Sequence, residues 1–238
     1  MTAAGLDAMF GARRPRLVAL RAAILDRPVS ERSDLGQFDE AGQLALAAEL
    51  AGLFGYDFGR GRIDKAVHPF SSGSGADVRI TTRTDPADPF NCLYSTLHEV
   101  GHATYEQNID PEYGLTSVGQ GASMGVHERQ SRLYENQLGR SRAFCGWLHG
   151  RLQERFGDAV PGDADAFYAL VNHVHAGFIR TEADEVHYNL HVLMRYDLER
   201  ALIAGDLAVP DLEGAWNERF EKDFGVVVDK ASNGCLQD

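Results

Sequence analysis

The sequence HEVGH at residues 98–102 places the strongest constraint on how this chain folds. On an α-helix, residues i and i+4 lie on one face, about one turn apart. The rings of His98 and His102 can therefore reach one point if this segment is helical, as two zinc ligands must. The residues before it favour a helix, because Asp88 is a good N-cap and Pro89 a good first helical residue. The pattern predicts a helix from there to about Asn108.

Glu99 follows the first histidine directly and is rotated from it by about 100° on a helix. It therefore flanks the metal without binding it. From that position a carboxylate can take a proton from the attacking water and pass it to the leaving amine, while the metal acts as a Lewis acid. The motif predicts a zinc-dependent hydrolytic site with Glu99 as general base.

A catalytic zinc needs a third protein ligand and an open position. The metzincin pattern requires glycine and histidine where this chain has Tyr105 and Asn108, so that class is excluded. We expect a carboxylate from a following helix, and Glu128 in GVHERQSRLYEN is the first candidate. A ligand from another helix can lie at any distance from the motif in the sequence, so other carboxylates remain candidates for the third ligand. These rivals are Asp110, Glu112, Glu182 and Asp184.

Composition limits the partners. The net charge of −12 and the pI near 5.1 argue against nucleic acid, which requires a basic face. No apolar run of about 18 residues is present, and the N-terminus lacks a signal-peptide pattern, so we expect neither a membrane span nor a leader. The three cysteines are far apart and odd in number, which indicates a reducing compartment and no disulfide framework.

Helical patterns dominate the chain, and the predicted fold is mainly α, with one domain over residues 1–238. One β-branched segment, residues 76–84, is predicted as a strand just before the motif helix. A break is expected at residues 26–36. Besides the motif helix, helices are predicted at residues 14–25, 38–54, 124–139, 142–156, 164–204 (which Gly177 can interrupt) and 216–224.

A second polar cluster lies in IRTEADEVHYNLH, residues 179–191. A helix over this segment would place Arg180, Asp184, His187 and His191 along one face. The two histidines repeat the four-residue spacing and suggest a second metal site. No glutamate is placed as in the first motif, so a solvated helix face is the favoured interpretation.

The predicted strand carries Arg79 and Arg83. In zinc peptidases an edge strand beside the metal can hold the substrate backbone by β-augmentation. An arginine on such an edge strand could bind a carboxylate through two hydrogen bonds. The simpler alternative is an ordinary exposed arginine.

Six segments occur in the order seen in the M32 metallocarboxypeptidases, the thermostable carboxypeptidase 1 (Taq carboxypeptidase) family, which the chain resembles from about Leu17 to its end. The segments are HPF at 68–70, DVRIT at 77–81, HEVGH at 98–102, HERQSR at 127–132, IRTEAD at 179–184 and GCLQD at 234–238.

The resemblance implies a zinc- or cobalt-dependent exopeptidase that removes C-terminal amino acids from peptides with broad specificity. It also implies a gluzincin-like helical fold with a deep groove, and a cytoplasmic homodimer. The implied metal ligands are His98, His102 and Glu128, with Glu99 as general base. Further residues that the resemblance places near the groove are Arg79, Arg180 and His68 as substrate contacts, and Asp77.

The chain departs from the family pattern at both ends. It lacks most of the N-terminal helical region, and it stops inside the family motif GxxQDxHW. We therefore expect the central part of the family fold. An alternative is a catalytically impaired zinc-binding fragment that acts as a binding or dimerisation module. Another is a metallo-endopeptidase, since an open-ended groove does not need a free C-terminus.

Overall fold

The computed structural model describes residues 2–27 and 35–237, and it divides the chain into two compact units. The larger unit is Arg32–Val171, and the smaller unit combines Met1–Glu31 with Asn172–Asp238. The single domain expected from the sequence stays a prediction. The break expected at residues 26–36 falls largely on residues 28–34, which lie outside the described residues.

Helices account for most of the described part, so the mainly α prediction is confirmed. In chain order the helices are α1 (Ala3–Leu25), α2 (Glu40–Leu53), α3 (Pro89–Gln107), α4 (Met124–Arg132), α5 (Arg142–Phe156), α6 (Ala164–Val171), α7 (Glu185–Ala204) and α8 (Leu212–Phe224). The strands are β1 (Ile63–Lys65), β2 (Ser71–Ser74) and β3 (Asp77–Thr82). No helix within the described ranges is long and apolar enough to cross a bilayer.

Helix α3 carries the HEVGH sequence and has the predicted ends. The Asp88 carboxylate accepts a hydrogen bond of 2.8 Å from the Phe90 amide, and Pro89 is the first helical residue. This cap satisfies a backbone amide that a helix start leaves open. The helix ends at Gln107, with Asn108 as its C-cap. Its apolar face is fully buried in the core of the larger unit, through Cys92, Leu93, Leu97, Val100 and Ala103.

The small sheet lies beside α3, as expected. Strand β3 is its middle strand, parallel to β1 and antiparallel to β2. Val78 and Ile80 of β3 are buried in one cluster with Val100 and Ala103 of α3. The edge-strand interpretation of β3 is wrong, because β1 and β2 occupy its two sides. Strands β1 and β2 are too short and too polar to show the alternation of apolar and polar residues that would predict them from the sequence.

Two predicted helices continue differently from the expectation. The helix expected over residues 124–139 changes after Arg132 into a π-helical turn, Leu133–Leu138. The stretch expected over residues 164–204 is interrupted from residue 172 to 184, a longer break than one glycine would produce. Asp184 is the N-cap of α7, so the single helical face predicted for the second polar cluster begins only at Glu185.

The smaller unit consists of α1, α7 and α8, which share a buried apolar cluster around Leu190, Met194, Phe220 and Phe224. Helix α1 begins at Ala3, well before the predicted start, because the Thr2 side chain caps its first turn despite the later Pro15. Helix α8 begins four residues before the predicted Trp216.

Candidate metal centre

Three predicted ligands meet in the larger unit. One ligand atom from each of His98, His102 and Glu128 lies within 4.8 Å of the others. The Nε2 atoms of His98 and His102 are 3.7 and 3.4 Å from Glu128 Oε2. Two imidazole nitrogens and one carboxylate oxygen form a donor set typical of catalytic zinc. About a third of the Glu128 side chain is exposed, so the site is open to solvent on that side.

Gly101, between the two histidines, lets α4 lie directly against α3. A Cβ at this position would be 2.8 Å from the Ser131 amide nitrogen and 3.0 Å from the Gln130 carbonyl oxygen, and closer still to Ser131 Cα. Contacts of that length to backbone cannot be relieved by turning a side chain. The glycine in HEVGH therefore sets the helix separation that brings Glu128 to the histidines.

His98 is held from its far side by Glu135. The His98 Nδ1 is 2.9 Å from Glu135 Oε2, and Arg132 donates a 2.8 Å hydrogen bond to the same oxygen. Burial alone would raise the pKa of Glu135, but the hydrogen bond from His98 and the charge of Arg132 lower it below its ordinary value. Glu135 lies on the π-helical turn, a local geometry often found at functional sites. With Nδ1 engaged, His98 presents Nε2 to Glu128.

His102 is held by a second histidine. The His102 Nδ1 and His127 Nδ1 atoms are 2.6 Å apart, and the His127 Nε2 is 2.7 Å from Glu106 Oε1. The two imidazoles and Glu106 therefore form a short chain that begins at a candidate ligand and ends at a carboxylate. His102 also presents Nε2 to Glu128.

The carboxylates of the site differ in their acidity. Burial raises the pKa of Glu99, which is only 7% exposed, and the neighbouring histidines offset this only in part. For Glu128 burial also raises the pKa, but the nearby side chains of His102, His98 and Arg132 lower it to about 2. Glu128 is thus an anion at neutral pH, as a metal ligand must be, whereas the pKa of Glu99 is shifted in the direction expected of a general base.

The model of the carboxypeptidase Taq (M32) metallopeptidase family matches residues 1–238. The chain belongs to the M32 family. It is 44% identical to thermostable carboxypeptidase 1 of Thermus thermophilus, in a match that covers 82% of this chain and 39% of that protein. It is 39% identical to carboxypeptidase 1 of Bacillus subtilis, in a match that covers 84% of this chain and 40% of that protein. The M32 carboxypeptidase structure from Deinococcus radiodurans R1 superposes with a TM-score of 0.95 at 44% identity, covering 100% of this chain and 48% of that one. This M32 chain therefore spans about two fifths of the length of its curated relatives.

The rival carboxylates do not join the ligand group of this M32 chain. Asp110 caps a short 3-10 turn, and Glu112 is exposed on it. Asp184 lies in the smaller unit, where it binds His187. The side chain of Glu182 lies outside the described residues. Within the described ranges, His98, His102 and Glu128 are the one group of three potential ligands whose ligand atoms lie within 4.8 Å of one another. The second metal site suggested by His187 and His191 therefore lacks a third ligand among these residues.

The predicted substrate residues have less direct support. Arg79 is exposed and its guanidinium binds the Asp77 carboxylate at 2.8 and 2.9 Å. His68 is exposed on the loop between β1 and β2. Arg180 lies in the smaller unit, where its backbone amide donates to Gln237 at 3.1 Å. Their roles toward a substrate stay predictions.

Three residues that contact the candidate ligands are not predicted in these roles from the sequence: Glu106, His127 and Glu135. A signal for Glu106 exists, since it lies four residues after His102 on the same helix and so on the same face. His127 directly precedes Glu128, but nothing in the sequence around it indicates a contact with His102. Glu135 had no signal, because its position depends on the π-helical turn.

Proposed function

We propose that this M32 protein is a zinc-dependent carboxypeptidase, with cobalt as a substitute metal. The observation that supports this most is the convergence of His98, His102 and Glu128 beside the buried Glu99. The family membership and the relatives named as carboxypeptidases support the same reaction. The substrates proposed are peptides with a free C-terminus, cleaved with broad specificity.

In this proposal His98, His102 and Glu128 hold the ion. Zinc supplies a Lewis acid that polarises the scissile carbonyl and lowers the pKa of water. Glu99 takes a proton from the attacking water and delivers it to the nitrogen of the departing amino acid. Burial raises the pKa of Glu99, and a raised pKa is the direction that general acid–base catalysis at neutral pH requires of a carboxylate.

The C-terminal carboxylate of the substrate needs a cationic partner. Arg79 and Arg180 are the proposed partners, and His68 is a further proposed contact. For Arg79 this requires the exposed pair with Asp77 to open, which costs little because exposed ion pairs contribute about 0–1 kcal/mol. The homodimer, the cytoplasmic location and the absence of nucleic-acid partners stay predictions.

The substitution Glu99→Gln tests the reaction. It keeps the volume and removes the base, so we expect release of C-terminal amino acids to fall by about 10²–10⁴-fold at unchanged zinc content. The measurement is amino-acid release from a short peptide by zinc-loaded protein, with metal content determined in the same sample. Release at the parent rate would contradict the proposal. Zinc binding without turnover by the parent protein would favour the binding module, and efficient cleavage of C-terminally amidated peptides would favour an endopeptidase.

A further inference from the structure

Two hydrogen bonds link His102 to His127 and His127 to Glu106, and the chemistry of the three groups determines which atom donates in each. Nδ1 of His102 and Nδ1 of His127 face each other at 2.6 Å, so one hydrogen must lie between them and only one ring can supply it. At its other end His127 Nε2 faces Glu106 Oε1 at 2.7 Å. A carboxylate only accepts, so His127 must carry its hydrogen on Nε2.

This assignment settles the first link. In the imidazole tautomer with its single hydrogen on Nε2, His127 has a bare Nδ1, which accepts from His102. His102 then carries its hydrogen on Nδ1 and has a lone pair on Nε2, the atom that lies 3.4 Å from Glu128 Oε2. The opposite order would set a bare His127 nitrogen against the Glu106 carboxylate and would place a hydrogen on His102 Nε2.

Packing restricts rotation of the His127 ring, so its two nitrogens keep these partners. Its ring lies 4.5 Å from the Tyr105 ring, tilted by 35°. On another side Gly121 leaves just enough room, since a Cβ there would be 2.9 Å from His127 Cδ2. The side chains of His127 and Glu106 are 17% and 15% exposed, so water competes weakly for their hydrogen bonds.

We propose that Glu106, acting through His127, holds His102 in the tautomer that presents Nε2 as a metal ligand. Both are positioning residues, and the inference rests on the proposed metal site. Partners that orient a ligating histidine in this way typically contribute 10–100-fold to metal affinity. His98 reaches the same state by a different route, since Glu135 binds its Nδ1 directly.

The substitution Glu106→Gln tests the direction of the chain with little change of shape. An amide can turn to accept from His127 or to donate to it, so both orders become allowed. We expect the ¹⁵N spectrum of the metal-free protein to change from one His102 tautomer, with hydrogen on Nδ1, to a mixture. We also expect zinc affinity, measured by chelator competition, to fall by about 10-fold. Glu154→Gln, at an exposed carboxylate paired with Arg151, is the matched control and should change neither quantity.

A second variant, His127→Phe, keeps a ring against Tyr105 and removes the acceptor. We expect a 10–100-fold loss of zinc affinity and an altered Co²⁺ absorption spectrum, which a purely structural role would not produce if the melting temperature stays near that of the parent. An unchanged His102 tautomer in Glu106→Gln together with parent zinc affinity in both variants would overturn the inference. The tautomer is measured without metal or substrate, so this result is independent of whether Glu99→Gln abolishes peptide release.

Discussion

In the part of the chain that the structure describes, two helices carry a pair of histidines four residues apart, and one of these pairs lies in a candidate metal site. On α3 the side chains of His98 and His102 are 20% and 15% exposed and face Glu128. On α7 His187 and His191 are almost fully buried. The His191 ring lies 4.5 Å from that of Phe224, and His187 also stacks on Phe224 at 5.8 Å.

The difference lies in the element that packs opposite each pair. Helix α4 reaches α3 across Gly101 and brings a carboxylate. Helix α8 reaches α7 with Phe220 and Phe224, which share a buried cluster with Leu190 and Met194. Spacing along one helix therefore orients two imidazoles, but the neighbouring helix decides whether they form a polar site or part of an apolar core.

Removing one histidine from each helix gives the largest expected contrast. We expect His102→Ala to weaken zinc binding at least about 100-fold, because one of three ligands is lost. His191→Ala should leave zinc affinity unchanged and lower the free energy of unfolding by about 2 kcal/mol, because it opens a cavity beside Phe224. Chelator competition measures the first quantity and urea unfolding the second. A large loss of zinc affinity in His191→Ala would break the comparison.

The contact between α3 and α4 can be tested separately from the ligands. Gly101→Ala places a methyl group against the backbone at Ser131, so we expect a loss of about 2 kcal/mol in the free energy of unfolding and weaker zinc binding as Glu128 moves away. Gly146→Ala on α5 is the control, since no atom lies within 4 Å of its Cβ position. It should stabilise the protein by about 0.5–1 kcal/mol, the usual gain in a helix. Equal stability of the two variants would exclude the close-packing role of Gly101.

Part of this contrast could be predicted from the sequence, because some signals are local. Asp88 and Pro89 fixed the start of α3, and the spacing of the histidines fixed their common face. The choice of Glu128 over the other candidate carboxylates depends on the family resemblance, because a contact between two helices requires no fixed spacing in the sequence.

Other features have no local signal. The sequence Ser71–Ser74 forms a strand only because β3 pairs with it, and its residues show no apolar alternation. The π-helical turn that carries Glu135 likewise depends on packing rather than on a residue pattern. The burial of His187 and His191 follows from α8, which is separated from them by an intervening loop.

The smallest effect that we expect is on stability, from changing Asp184, which contacts His187 of the buried histidine pair. Asp184 caps α7, with Oδ1 accepting from the amides of Val186 and His187, while Oδ2 lies 2.7 Å from His187 Nδ1. Asparagine preserves the cap but replaces the second acceptor with a donor. We expect Asp184→Asn to lower the free energy of unfolding by about 1 kcal/mol at neutral pH, and Asp184→Ala to lower it further because the cap is lost as well.

The pH dependence gives this last prediction its sign. Burial raises the pKa of Asp184, but the hydrogen bonds from His187 outweigh it and leave the folded-state pKa below its ordinary value. The extra free energy of unfolding that Asp184 provides over asparagine is therefore complete above the ordinary carboxyl pKa of about 4. It disappears as the pH falls through the lower pKa that Asp184 has in the folded protein. Urea unfolding of both proteins across this range measures it, with zinc affinity at neutral pH expected to be equal. A difference that grows toward low pH would mean that the Asp184 carboxylate does not stabilise α7. The buried histidine pair would then depend on the packing of Phe224 and on the hydrogen bond from Arg195 to His191.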